Sequence, residues 1–428
     1  MKIAIIGAGF TGLSAAFELT KKKHKVSVFE KDNNPGGLAV GFEEKKWNWS
    51  LEKHYHHWFT NDHNVLGLAK EIKFDVITER PKTSIFLDNS IYQLDSPMNV
   101  LTFPRISFFD RLRMAGVLGF LRYNPYWKML EGIKTDRFLR EAMGENVYKK
   151  IWEPQLKNKF GNYANDIALS WFWARIKKRT PALSYPQGGF LQFAETLVAK
   201  IKKNGGKFYF NTEAKEIKNN TRVNIKYKMI NDQWSYEDFD AAIVTLPSFF
   251  FVKIAPGLPE NYKKKLLSLK GLGAINLLLR LKKKFLTDDT YWLSICDRNS
   301  PIMAMVEHTN FMDKKFYNNE HIVYLGNYLS FDHPYMKMTK DELLKIYHPF
   351  LKKINPNYQL SIINSHLFKT PFAQPIIPIN YSKKVPPFET PFKNVYLANI
   401  QQVYPWDRGT NYAVELGQKI AKLITIKQ

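Results

Sequence analysis

The sequence predicts an α/β fold: a parallel sheet with helices, interleaved along the chain with an α+β domain that carries a helical insert. Three observations predict it. A strand–helix–strand unit opens the chain, α/β alternation resumes near residue 187 and again near residue 390, and a stretch dense in aromatic and basic residues at helical spacing separates the first two.

Lys2 to Ile6 is a short apolar run rich in β-branched residues, and Gly7 to Lys22 then carries Leu13, Ala16, Phe17 and Leu19 at helical spacing. Lys25 to Glu30 alternates like a strand, which completes a βαβ unit with the right-handed crossover such units adopt. From about Arg80 to Ser184 strands are expected to give way to helices, including Ser107–Arg122 and Leu169–Lys178. A helix near Phe190–Asn204 and strands at Lys207–Phe210 and Ala241–Thr245 follow. Residues 248–390 mix strand-like pieces, Ala274–Leu281 and Ile322–Leu329, with a helix near Lys340–Leu351. A last strand, Asn394–Ala398, and a last helix, Gly409–Ile424, end the pattern. The expected division is therefore a discontinuous nucleotide-binding domain, residues 1–80, 185–247 and 390–428, and a substrate domain, residues 81–184 and 248–389.

Composition narrows the function classes. At 428 residues the chain has room for two or three domains, and 45% hydrophobic with 24% charged residues is a globular balance, neither disordered nor fibrous. The single cysteine, Cys296, excludes an internal disulfide and any multi-thiolate metal site, in keeping with a reducing, cytoplasmic setting. Lys and Arg number 63 against 39 acids, a net charge of +24, which suits nucleic acid, an anionic membrane surface or a phosphate-bearing ligand. No recognised nucleic-acid module or basic arm is present, so nucleic acid is not the expected partner. No apolar run reaches the roughly 18–20 residues that span a bilayer. Ile3–Phe17 comes nearest, but its patterned glycines and the following Lys21-Lys22-Lys23 mark folded structure, not a leader.

Gly7-Ala-Gly9-Phe10-Thr11-Gly12 lies between the first strand and the first helix, the context that a dinucleotide fingerprint requires. Gly7 permits the tight turn, Gly9 lets backbone approach a pyrophosphate, and Gly12 allows close helix–strand packing. The helix N-terminus then meets the anion with its free N–H groups. Glu30, with Lys31 beside it, ends the next strand, where a carboxylate accepts from ribose hydroxyls and disfavours a 2′-phosphate. That leaves FAD or NAD. Gly36-Gly37-Leu38 adds a second glycine pair able to bring backbone to a diphosphate.

In this order the glycine triplet, the acid and the Gly-Gly pair resemble the FAD-dependent amine oxidase, protoporphyrinogen oxidase and phytoene desaturase superfamily, to which UDP-galactopyranose mutase is related. The resemblance departs at Leu38, where the family commonly carries Arg or Lys. It continues at the other end, in Val395–Asn399 and Tyr404–Ala413. It implies a Rossmann-like FAD-binding domain, with FAD as the cofactor. It also implies backbone contact to adenine near Ala214, a ribityl or pyrophosphate contact at Asn399, and a helix opened by Gly409-Thr410-Asn411 aimed at the flavin. A helix terminus is worth about 0.3–1 kcal/mol, up to ~2 when partly buried, so it tunes a flavin potential without setting it.

Several residues carry chemistry. His54-Tyr-His56-His57 places imidazoles near one another, yet no carboxylate or thiolate stands at metal-ligand spacing, so no metal is expected. By the resemblance this stretch runs toward the flavin, which makes His54 and His56 candidates to face flavin or substrate; neutral imidazole there accepts a proton. Tyr404 and Trp406 are candidates for a pocket wall, and Arg408 for an anionic group on the substrate. Arg175 and Arg179 are expected on a solvated helix face. The insert from 101 to 184 holds 16 Lys/Arg and 7 acids, net +9, and Phe103–Arg122 mixes apolar bulk with arginines, as helices lying in a membrane surface do. The expected function is an FAD-dependent oxidoreductase taking a hydride from a small substrate, isoprenoid-like or an amine. The alternative is a non-redox flavin-dependent mutase acting on a sugar nucleotide. Oligomeric state is not legible in the sequence.

Overall fold

The computed structural model describes residues Met1–Ile426. A five-stranded parallel sheet takes its strands from widely separated parts of the chain, in the order Lys207–Tyr209, Lys25–Phe29, Lys2–Ile6, Ala241–Val244, Val395–Leu397. Ile3 pairs with both Val26 and Ala241, so the opening strand is central. Ile3, Ala4 and Ile5 have no accessible surface, as a strand covered on both faces of a parallel sheet should.

The helix Phe10–Lys21 packs on this sheet, and the closing helix Thr410–Ile426 packs on that helix. Small residues set the approach. A Cβ on Gly417 would lie 2.4 Å from the Thr11 carbonyl oxygen, and Ser14 Oγ donates to the Val414 carbonyl at 3.0 Å. The two ends of the chain therefore form one layered unit.

Next to it stands a seven-stranded mixed sheet, ordered Ile362–Pro375, Gly271–Leu281, His321–Leu329, Ala304–Glu307, Thr290–Ile295, Lys82–Leu87, Ser90–Gln93. The last two strands correct the sequence reading, which started helical structure at Arg80. They form a hairpin turned by Asp88 and Asn89, both at positive φ (50° and 58°), the conformation a two-residue hairpin loop requires. Helical structure begins at Pro97–Leu101 and runs through Phe108–Tyr123, Thr135–Met143 and Glu153–Phe160 to Leu169–Lys178. A separate antiparallel sheet, Thr212–Asn219, Val223–Met229 and Trp234–Phe239, lies between the third and fourth strands of the parallel sheet in sequence. Among the described residues no helix is long and apolar enough to cross a membrane.

Candidate active site

The glycines fold the opening turn into a cradle. Gly7 sits at φ +104°, and a Cβ there would meet Thr245 Oγ1 at 2.5 Å. The helix Phe10–Lys21 has no side-chain cap, and its first internal bond runs from Leu13 N to Gly9 O at 2.9 Å. The first-turn N–H groups thus point out of the helix without a protein cap, a ready anion site. Gly36 N donates to Ala8 O at 2.9 Å, which brings the second glycine pair alongside the first; a Cβ on Gly37 would lie 2.9 Å from Gly9 Cα.

Glu30 closes the other side. Its Oε2 accepts from Ala8 N at 2.7 Å and its Oε1 from Asp32 N at 3.0 Å. Burial pushes its carboxyl up against the pull of those two N–H groups. Each oxygen keeps a lone pair for a ribose hydroxyl. Thr212 N donates to Glu30 O at 2.8 Å and sets Ala214, buried at a strand bulge, close to the same corner. Lys31 is exposed and Leu38 half-buried. Phe10 is packed inward, stacked on Phe193 with ring centres 5.6 Å apart. Thr11 is buried in the contact with the closing helix. Uncapped N–H groups, a cradle that any Cβ would fill, and a carboxylate with spare acceptors together fit the adenosine and pyrophosphate parts of FAD.

The closing helix starts beside this cradle. Trp58 Nε1 donates to Thr410 Oγ1 at 2.7 Å, and Asn411 Oδ1 accepts from Asn64 N and Val65 N at 3.0 and 3.2 Å. Asn411 therefore caps the helix His63–Glu71, whose own Asp62 side chain instead accepts from Phe59 N. Gly409 is exposed, and its carbonyl accepts the first bonds of the closing helix, from Tyr412 and Ala413 N. Asn399 is spent on the protein. Its Oδ1 accepts from Gln401 N, and its Nδ2 donates to Leu246 O and Ser248 Oγ, so it joins the end of the fourth strand of the sheet to the fifth.

Residues 54–57 run from the cradle onto the seven-stranded sheet. Asn276 Nδ2 lies 2.5 Å from His54 Nδ1, His57 Nδ1 lies 3.0 Å from Tyr291 OH, and His56 Nδ1 donates to His54 O at 2.6 Å. That last bond leaves the His56 Nε2 lone pair free. Burial pulls all three imidazoles down, to about 3 for His54 and His57 and about 4 for His56; Arg408 adds to the effect at His54 and His56. They are neutral above those values. All three keep some accessible surface although burial dominates their titration, so they face internal space.

A charged cluster adjoins them. Asp407 Oδ2 accepts from Arg175 Nη1 at 3.0 Å, and Oδ1 accepts from Trp171 Nε1 and Arg408 N, each at 3.0 Å. Arg408 donates through Nε to Gln374 Oε1 at 3.0 Å and through Nη2 to the Tyr328 hydroxyl. Burial alone would raise the Asp407 carboxyl, but Arg175, Lys159 and Arg408 outweigh it and bring the value down to about 2. Arg175, expected on a solvated face, is instead the ion-pair partner of Asp407, because its helix packs against the segment that precedes the closing helix. Arg179, the residue that follows this helix, keeps accessible surface, yet burial and then Arg175 pull its guanidinium down to about 10 and its charge reaches His57, which a freely solvated face would not give.

Tyr404 and Trp406 lie in other company. The Tyr404 hydroxyl is 3.0 Å from both Ser170 Oγ and Glu131 Oε2, and Trp406 is stacked between Trp173 and Tyr412, at 5.2 and 6.0 Å. Lys159, Asp407, Tyr328, Gln374 and Asn276 escaped sequence reasoning. Each belongs to a different element, and of the five only Asp407 falls in a segment that the resemblance marks, Tyr404–Ala413.

A parallel nucleotide-type sheet and a glycine cradle closed by the helix Thr410–Ile426, with a polar cluster on a second sheet beside it, define the class of dinucleotide-binding proteins. The sequence profile described as flavin containing amine oxidoreductase matches residues 10–421, and the chain belongs to that family. Its cofactor is a flavin. Similar proteins include a coproporphyrinogen III oxidase from Staphylococcus aureus, 25% identical over 291 residues, covering 58% of this chain and 61% of that one. A 1-hydroxycarotenoid 3,4-desaturase from Flavobacterium sp. is 24% identical over 287 residues, covering 58% of this chain and 57% of that one. The aligned region thus spans about three fifths of the length of these relatives. Among solved structures, an oxidoreductase from Methanosarcina mazei superposes with a TM-score of 0.76 at 18% identity, covering 99% of this chain and 100% of that one. A reduced UDP-galactopyranose mutase superposes with a TM-score of 0.76 at 15% identity, covering 100% and 96%. At these identities the superpositions speak for the fold.

Proposed function

We propose that this chain is an FAD-dependent oxidoreductase that takes a hydride equivalent from a C–H or C–N bond of a small substrate. The observation that carries the reading is the joining of the chain's two ends at one elongated cradle: Gly9 against Gly37, Glu30 at the corner, and Thr410 bonded to Trp58. Gly9–Gly12 backbone would hold the pyrophosphate, Glu30 the ribose, Ala214 the adenine side, and the N-terminus of the closing helix the flavin end. When bound, FAD supplies the two-electron acceptor. The chain's own part is position and proton handling. His56 receives a proton at Nε2, with its ring fixed by the bond from Nδ1 to His54 O. Tyr55, tied edge-on to Trp292 and Tyr324, walls the space above the sheet and keeps water out. The relatives named above include a porphyrinogen oxidase and a carotenoid desaturase, which supports a substrate with extended apolar surface.

The test is to purify the protein, record its visible spectrum, identify the released nucleotide by mass, and screen donors for anaerobic bleaching. A yellow protein that releases FAD and bleaches with a donor is expected. A colourless protein that takes up no added FAD overturns the reading.

We also propose peripheral attachment to an anionic membrane through the helix Phe108–Tyr123. This helix is inverted relative to an ordinary surface helix. Met114 and Leu121 face the core, whereas Phe109 (76% exposed), Leu112, Phe120 and Tyr123 (82% exposed) share the outward face. Met98, Tyr126 and Met129 extend the exposed apolar surface, within an insert of net charge +9. Sedimentation with vesicles of phosphatidylglycerol, lost in a Phe109→Asp/Leu112→Asp variant of unchanged flavin content, is the expected result. Equal sedimentation of the two proteins, or a wild-type protein that instead dimerises through this face, overturns it.

A further inference from the structure

The cluster beside His54 and Arg408 holds more positive charge than it neutralises. Three cations, Lys159, Arg175 and Arg408, surround one carboxylate, Asp407. Asp407 is committed to Arg175, Trp171 and the Arg408 backbone. The Arg408 side chain reaches only neutral partners, Gln374 and Tyr328. Lys159 is barer still. Among the described residues its ammonium has no hydrogen-bond or ion-pair partner; it lies over aromatic faces, 4.5 Å from the centre of Tyr328 and 5.8 Å from that of Trp171. Arg408 lies over the same Tyr328 ring at 4.9 Å. Two cations thus converge on one ring in an enclosed place and keep accessible surface there.

Leaving ammonium and guanidinium groups enclosed without an anion is unfavourable unless something negative completes the site. Burial, then Arg175, hold Lys159 well below the ordinary lysine range, with Asp407 opposing and Arg408 adding to the effect, so that a bound anion would favour its charged form. A cationic substrate would meet repulsion from the surplus charge. An anion would relieve it.

We propose that Lys159 and Arg408 form a subsite for an anionic group, phosphate or carboxylate, carried by the substrate, and that this subsite excludes cationic amines. The inference rests on the proposed oxidoreductase reading for its place beside the reacting bond, but the anion site itself exists with or without flavin. Lys159 enters from the helix Glu153–Phe160, Arg408 from the segment before the closing helix, and Tyr328 from the long sheet between them. Lys159 contributes charge and Arg408 a planar donor fork, which together recognise an oxyanion.

The test titrates the purified protein, as isolated with its flavin, with inorganic pyrophosphate, succinate and butylamine in separate arms. Heat of binding and the flavin difference spectrum are read together. Binding of at least one anion and none of butylamine is expected. Pyrophosphate alone identifies a phosphate group as the source, and succinate alone a carboxylate. In Lys159→Met the affinity for that anion should fall at least about tenfold, and in Lys159→Arg it should stay within about threefold. Lys159→Gln serves if the methionine variant folds poorly; flavin content and melting temperature report folding for each. Binding of neither anion, or equal binding by wild type and both neutral variants, overturns the proposal. A preparation without flavin would count against the oxidoreductase reading alone, because the calorimetric titration still reads the subsite.

Discussion

Gly9 and Gly37 stand back to back, close enough that a Cβ on Gly37 would lie 2.9 Å from the Gly9 Cα atom. Gly37 also adopts φ +60°, the left-handed region that favours glycine. The two loops that would grip the pyrophosphate are therefore held apart by nothing but backbone.

Gly37→Ala should push those loops apart and weaken FAD binding by at least about tenfold, since strain at positive φ alone costs about 1–2 kcal/mol. The flavin-to-protein absorbance ratio after gel filtration measures this, followed by titration of the apoprotein with FAD. A variant that keeps its full flavin complement would remove the glycine pair from the cofactor site.

Thr410→Val keeps shape and removes the acceptor of the Trp58 indole N–H, which is fully buried. An orphaned donor of this kind costs about 1–3 kcal/mol. The urea midpoint should fall accordingly, whereas Thr410→Ser, which retains the hydroxyl, should stay near wild type.

Glu52 gives stability a distinctive pH dependence. Burial pushes its carboxyl from 4.5 up to about 7, against donation by Phe190 N and the Tyr185 hydroxyl. Because the folded value is raised, its contribution is complete below about pH 4.5 and is lost as pH rises through about 7, a change of about 3 kcal/mol. The buried histidines act in the opposite sense: with folded values lowered to about 3–4, their contribution is present above 6.5 and fades as pH falls. The difference in unfolding free energy between wild type and Glu52→Gln, followed from pH 4.5 to 8, isolates the carboxyl. A flat difference would contradict the assignment.

His56, held down to about 4 by burial and Arg408, is a free base throughout the neutral range. The rate of donor-dependent flavin reduction should consequently show no inflection near 6.5 and should fall only as pH approaches about 4. His56→Asn should slow reduction by about 10²–10⁴-fold, the usual worth of a positioned base. An inflection at 6.5 that survives in the variant would assign the proton to another group.

How much of this was legible in the sequence depended on how local the cause was. The glycine turn, Glu30 and the opening strand–helix–strand unit are written within thirty residues, and the helix Leu169–Lys178 has the bounds its periodicity predicts. The hairpin at Lys82–Gln93 was missed although Asp88-Asn89 is a turn signal, because its strands are short and neighbour a long helical stretch. The resemblance implies a cofactor contact at Asn399, whose side-chain amide is bonded to Gln401, Leu246 and Ser248, the last two remote from it in sequence. Of the cation cluster, the sequence marks only Arg408 as a candidate for an anionic group. Lys159, Arg175, Tyr328, Gln374 and Asp407 come from two helices, two strands and a loop, and only tertiary packing brings them together.

The bond from Ser14 to Val414 spans 400 positions of chain, and Gly417 seats against Thr11 only when the last helix has formed. The nucleotide site is thus incomplete until the segment Thr410–Ile426 has docked on the first helix, however early the rest of the fold forms. Cofactor loading accordingly waits on that docking, and a chain cut before residue 410 should be both colourless and open to proteases along its first helix.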